Sequence, residues 1–242
     1  MPAVFKTTDK GLFEQYNVMV RIKICCIKSV EEARIAVSLG ASAIGLVGKM
    51  PSGPGPISDD LIKEIASLVP PPVATFLLTS ETSVNEIIKH HQRTNTNTIQ
   101  IVDSLSEGTY AQLKSALPSI KIVKVIHVID ENSVRAAISI SESVDAILLD
   151  SGNPDLKIKE LGGTGRVHNW GLSRQIRINS KCPVFLAGGL RPENVRQAIE
   201  TVRPFGVDVC SGVRTDGNLD IQKLENFFKE VLQISMIKPS VL

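Results

Sequence analysis

Two reactive side chains stand where short apolar runs end. Cys25 follows Met19 to Ile24, and Asp150 follows Val144 to Leu149. A thiol and a carboxyl group facing each other across one site suit a general base and a general acid. A free cysteine titrates near ~8.5, so only a few per cent is thiolate at pH 7. A neighbouring Lys23 ammonium, if close, raises that fraction. The residues alone leave a second reading equally open: Cys25 as a small buried hydrophobe, and Asp150 as a helix cap or ion-pair partner.

Three glycine clusters suggest a second kind of chemistry. They are Gly162-Gly163-Thr164-Gly165, Ala187-Gly188-Gly189-Leu190 and Cys210-Ser211-Gly212-Val213. Glycine lets backbone N–H groups approach an anion closely, and a helix start adds a favourable dipole. Each cluster alone would pass for a turn. Together, after three successive apolar runs, they read as a phosphate cradle.

The elements that must position these groups alternate regularly. Strands are expected at 19–24, 42–47, 73–78, 98–102, 120–128, 144–149, 184–187 and 206–209. Helices are expected at 30–39, 58–69, 83–93, 107–117, 131–142, 169–179, 192–202 and 221–232. Gly40 ends the first helix, Ser58 caps the second and Pro192 opens the seventh. The strands are nearly all apolar, as strands buried on both faces are. Eight such units predict a single-domain α/β fold, a closed eight-stranded parallel (β/α)₈ barrel. An open doubly wound sheet is the alternative, and no G-x-G-x-x-G follows the first strand to support it. Residues 1–18 form an extension, a loose arm or a lid under the barrel; 19–235 form the barrel and 236–242 a tail. In such a barrel, residues at the carboxyl ends of the strands act on ligands, and phosphates sit after strands seven and eight.

Composition narrows the partners. The 242 residues match the usual barrel length of ~250. A net charge of +2 and 4% aromatic residues give no footing for nucleic acid. No run approaches the ~18 apolar residues of a membrane helix. Residues 1–17 lack the apolar core of a secretory signal, so the expected location is cytoplasmic. Of the four cysteines, Cys25, Cys26, Cys182 and Cys210, none has the spacing of a zinc site, and that location favours reduced thiols. The expected partner is a phosphorylated small molecule, bound by a monomer or homodimer.

Lys23-Ile24-Cys25 with Ile27, the Leu148-Leu149-Asp150 end, the Gly162–Gly165 loop with Trp170, Leu186 to Leu190, and Val207-Asp208-Val209 with Ser211-Gly212-Val213 together resemble the phosphoribosylanthranilate isomerase family. The match in order and spacing runs from about Val20 to Val231. The resemblance implies a (β/α)₈ barrel that performs an Amadori rearrangement in tryptophan biosynthesis, with no metal or organic cofactor. It implies Asp150 as the acid that protonates the furanose ring oxygen and Cys25 as the base that removes the C2′ proton. Lys23 would support the site and Asp208 would contact the sugar hydroxyls. Gly163, Gly188, Gly189, Ser211 and Gly212 would hold the phosphate.

Several positions depart from the family pattern, mostly on the side that holds the group attached to C1′. The loop Met50 to Pro56 has glycine, near Gly55, where an arginine usually pairs with the anthranilate carboxylate. Lys49 is left as its substitute, a point charge without the bidentate fork. Gln100-Ile101-Val102-Asp103 replaces Gln-Leu-His-Gly and places an acid near an acidic substrate. Cys26 replaces glycine. Arg214 replaces glutamate and reads as a phosphate contact or a solvated helix start. His168-Asn169-Trp170 replaces Phe-Asp-Trp, with Trp170 read as structural. Alternatives are a paralogue with a different aglycone, a non-catalytic sugar-phosphate-binding barrel, or another phosphate-binding barrel enzyme such as an indoleglycerol-phosphate synthase or a pentose-phosphate epimerase.

Overall fold

The fold is seen in a computed structural model that describes residues 19–152, 161 and 165–236. Residues 1–18, the tail from 237 and Gly163 lie outside the described residues. Eight strands, β1 (Arg21–Ile24), β2 (Ala43–Val47), β3 (Ala74–Thr79), β4 (Thr98–Ile101), β5 (Lys121–His127), β6 (Ala146–Asp150), β7 (Val184–Leu186) and β8 (Gly206–Val209), pair in parallel and in chain order. β8 returns to β1, with Lys23 opposite Asp208, and closes the barrel. The helices are α1 (Val30–Ser38), α2 (Asp59–Leu68), α3 (Val84–Thr94), α4 (Tyr110–Ala116), α5 (Glu131–Ile140), α6 (Trp170–Asn179), α7 (Pro192–Val202) and α8 (Ile221–Met236).

Strand alternation builds two cores. Phe76, Val123, Val125, Leu148 and Phe185 fill the barrel interior. Their neighbours Leu77, Ile122, Ile126, Ile147 and Leu149 point outward and pack under the helices. The period of two explains both sets, since successive side chains leave a strand on opposite faces. Phe185 packs edge-on against Phe76 and Phe205, with ring centroids 6.0 and 5.4 Å apart. Trp170, at the start of α6, packs against the outer core, a structural place.

Local signals account for most boundaries. The Ser58 hydroxyl accepts from Leu61 N–H and starts α2, and Pro192 opens α7. α4 begins at Tyr110 rather than at residue 107, because Thr109 and Gln112 form a reciprocal capping box there. α8 extends past residue 232 to Met236. A short hairpin of β9 (Arg214–Thr215) and β10 (Asn218–Leu219) follows a 3₁₀ turn at Ser211–Val213, between β8 and α8.

The cysteines correct one expectation. Cys26 and Cys210 form a disulfide, while Cys25 and Cys182 are free. Barrel closure brings this about: Ile24 lies opposite Val209, so the residues just beyond the two strand ends meet.

Candidate active site

The register sets Cys25 and Asp208 at the carboxyl ends of adjacent strands, with Asp150 at the end of β6. All three line one cleft, which opens to solvent at its mouth. Lys23 lies beneath them, fully buried, with its ammonium 2.9 Å from an Asp208 oxygen and 5.1 Å from the centre of the Phe76 ring. It is absent from the cleft lining. Gly45 makes this arrangement possible. A methyl group there would fall 2.7 Å from the Cys25 sulfur and 2.9 Å from the Lys23 nitrogen.

The electrostatics shift the carboxyl and the thiol by different amounts. Burial pushes the Asp150 carboxyl up to about 6, although Ser151 N–H donates to its Oδ1 at 2.7 Å. Nearby Asp208 adds to the upward shift, and Lys23 opposes it. Burial likewise drives the Cys25 thiol up to about 11, with Asp208 again adding. Lys23 favours the thiolate, as its nearness predicts, but desolvation outweighs it, so the resting residue is a thiol. Burial disfavours charge on Lys23 too, yet Asp208 and Cys25 together outweigh it and raise its pKa. The result is a persistent ammonium under the reactive pair.

The glycine clusters after β7 and β8 meet at one end of the cleft. Gly188, Gly189, Leu190 and Ser211 line the cleft beside Cys210, and Gly165 approaches the Ser211 hydroxyl. Gly212, next to Ser211, is not itself part of the lining. A Cβ on Gly212 would overlap the Leu190 carbonyl oxygen, so the loops after β7 and β8 touch backbone to backbone.

The opposite wall is apolar, formed by Val47, Met50, Pro54, Leu78 and Val102. Lys49 is exposed and does not line the cleft; its carbonyl accepts from the Ser80 hydroxyl. Asp103 also lies outside the lining. It is buried, its Oδ1 accepts from Ser104 N–H, and its charge attracts Lys124, so no carboxylate is presented to a ligand there. Arg214 is neither a phosphate contact nor a solvated residue: it is 8% exposed and paired with Glu32 at 2.9 Å. His168 is held neutral, since burial lowers its pKa to about 4, and its Nε2 contacts the Ser173 hydroxyl at 2.7 Å.

Gln100 carries a signal that the sequence reading passed over. It is 3% exposed, lines the cleft, and its Oε1 has no hydrogen-bond partner among the described residues. An amide in an otherwise apolar, inward-facing strand position was the available clue. Among the described residues, no group of three or more His, Cys, Asp or Glu is placed to hold a metal, and no helix is long and apolar enough to cross a membrane.

Comparison with known proteins places the same features in context. The family model described as N-(5′-phosphoribosyl)anthranilate (PRA) isomerase matches residues 22–230. The N-(5′-phosphoribosyl)anthranilate isomerase 2 of Methanosarcina mazei is 38% identical over 210 residues, covering 86% of this chain and 92% of the relative. The crystal structure of phosphoribosyl anthranilate isomerase from Thermotoga maritima superposes with a TM-score of 0.73 at 32% identity, covering 89% of this chain and all of that one. A phosphoribosyl anthranilate isomerase solved with reduced 1-(o-carboxyphenylamino)-1-deoxyribulose 5-phosphate is 30% identical, with a TM-score of 0.71 over 89% of this chain and all of that one.

Proposed function

The chain belongs to the N-(5′-phosphoribosyl)anthranilate isomerase family, and from that premise we propose that Cys25 and Asp150 are the base and acid of its reaction. The reaction is the family's Amadori rearrangement, an internal aldose–ketose isomerisation in tryptophan biosynthesis. The observation that supports these roles is the convergence of a buried thiol and a buried carboxyl group in one cleft, beside a cradle of main chain.

The steps follow from the tuning of the two groups. Protonated Asp150 donates to the furanose ring oxygen. The C1′–O bond breaks as the nitrogen lone pair forms a C1′=N iminium. In the productive form Cys25 has already lost its proton to solvent, and the positive nitrogen acidifies the C2′ proton that this thiolate meets. The thiolate removes that proton, and the electrons form C1′=C2′ and return to nitrogen. The enolamine then takes a proton at C1′ and loses the C2′ hydroxyl proton, giving the ketone. A base with a high pKa is strong once formed, and an acid near 6 releases its proton readily. Asp208 holds a sugar hydroxyl from the cleft floor. Gly188, Gly189, Ser211 and Gly212 hold the phosphate, with Gly163 assigned to that cradle from sequence alone. The apolar wall around Leu78 and Val102 takes the aryl ring, and Gln100 Oε1 accepts from the substrate.

The productive state has Asp150 protonated and Cys25 ionised, the reverse of the order that about 6 and about 11 favour. Below the Asp150 value, added protons deplete the thiolate form. Above the Cys25 value, the acid form is lost. The experiment is therefore a kcat/KM profile on phosphoribosylanthranilate, followed by its fluorescence change. It should show an acid limb near pH 6 and no second limb between pH 7 and 9. No turnover by a folded wild type would remove anthranilate as the aglycone. A limb between pH 8 and 9 would contradict the thiol assignment.

A further inference from the structure

We infer that the Arg214–Glu32 pair is a positioning device for the Cys25 thiol; the inference rests on the base role assigned above. The arginine extends from the start of β9 and grips Glu32 of α1 with both arms of its fork, Nη1 to Oε1 and Nη2 to Oε2, each at 2.9 Å. The same Nη2 donates to the carbonyl of Cys26, the residue next to the proposed base. Nη1 also donates to Gly217 carbonyl at 3.1 Å. Glu32 in turn accepts from Lys28 N–H at 2.9 Å and Leu219 N–H at 3.2 Å. Buried Arg214 and half-buried Glu32 thus fasten the segment after β1 to the hairpin after β8.

The backbone at Cys26 gives this clamp a purpose. Cys26 sits at φ +60°, a left-handed conformation that residues with a Cβ adopt only when their surroundings enforce it. That peptide sets the direction in which the chain leaves Cys25. The Arg214 bond to Cys26 carbonyl and the Cys26–Cys210 disulfide both act there, one on the backbone and one on the side chain. Glu32 is ionised, because its burial is outweighed by Arg214 and by the Lys28 and Leu219 amides. A lysine at position 214 would keep the charge, but its single nitrogen cannot grip two carboxylate oxygens and a carbonyl in one plane.

The test compares Arg214→Lys, Arg214→Met and Glu32→Gln with wild type by two readouts. The first is the split between kcat and KM well below each variant's melting temperature. Misaiming a reacting group by about 1 Å can cost ~10²-fold, so kcat is expected to fall by roughly that factor in Arg214→Met. KM should change by less than about threefold, since the phosphate cradle remains. The second readout needs no substrate. Iodoacetamide labelling of Cys25 is measured by mass spectrometry against Cys182, the other free thiol. Release of the clamp should raise the Cys25-to-Cys182 ratio severalfold in Arg214→Lys, which also serves if Arg214→Met fails to fold. Lowered melting temperatures with unchanged kcat and an unchanged labelling ratio would overturn the inference and leave a merely structural pair. Wild type that is labelled normally but turns over no substrate would instead count against the assigned function, while the labelling ratio still decides the clamp.

Discussion

Cys25→Ala and Asp150→Asn should each lower kcat by ~10³–10⁴-fold, the upper part of the range for a positioned acid or base. Both changes are sterically mild. Asparagine keeps an oxygen for the Ser151 N–H, and alanine leaves Lys23 paired with Asp208. Melting temperatures should therefore move little, and phosphate-ester binding should persist. The double variant should lose little beyond the worse single variant, because the two groups serve one proton-transfer sequence. Single-turnover assays on folded protein check this. A residual rate within tenfold of wild type for either variant would remove that residue from the reaction.

Gly212→Ala should lower kcat/KM by roughly 10²-fold, although Gly212 reaches no reacting atom. The new Cβ would overlap the Leu190 carbonyl, so the loops after β7 and β8 must part. Hydrogen bonds to a charged group contribute ~1.5–3 kcal/mol each, and separating the two halves of the cradle weakens more than one of them. The phosphate lies remote from the chemistry, so part of its lost binding should appear in kcat as well as KM. Steady-state kinetics with inorganic phosphate as a competing ligand would measure the effect. An unchanged phosphate inhibition constant would show that the anion binds elsewhere.

The barrel was legible because the strands carry the signal on their own. Val144 to Leu149 reads as a strand buried on both faces, and the structure divides it by alternation into Leu148 inside and Leu149 outside. Cys25 and Asp150 were legible because each terminates such a run. The pKa of Cys25 was not, since it depends on the balance of burial, Asp208 and Lys23 in three dimensions. The Cys26–Cys210 bond was within reach. Closure makes β8 the neighbour of β1, and both cysteines stand just past the strand ends. General reasoning from compartment overrode that geometric clue. Arg214 was misread for another reason: its partner Glu32 lies on α1, at the far end of the sequence, where no local pattern links them. Asp103 teaches the same lesson, because a residue after a strand can turn away from the cleft and bury its charge near a lysine such as Lys124.

The central claim is one of geometry, and a crystal structure with a non-isomerising reduced analogue of the ketose phosphate product tests it most directly. The account predicts phosphate oxygens on the amides of Gly189, Ser211 and Gly212, with the former ring oxygen at Asp150. It also predicts C2′ at about 3–3.5 Å from the Cys25 sulfur, the separation of a near-attack arrangement. Phosphate bound outside the Gly188–Ser211 rim, or a sulfur more than about twice that distance from C2′, would contradict it.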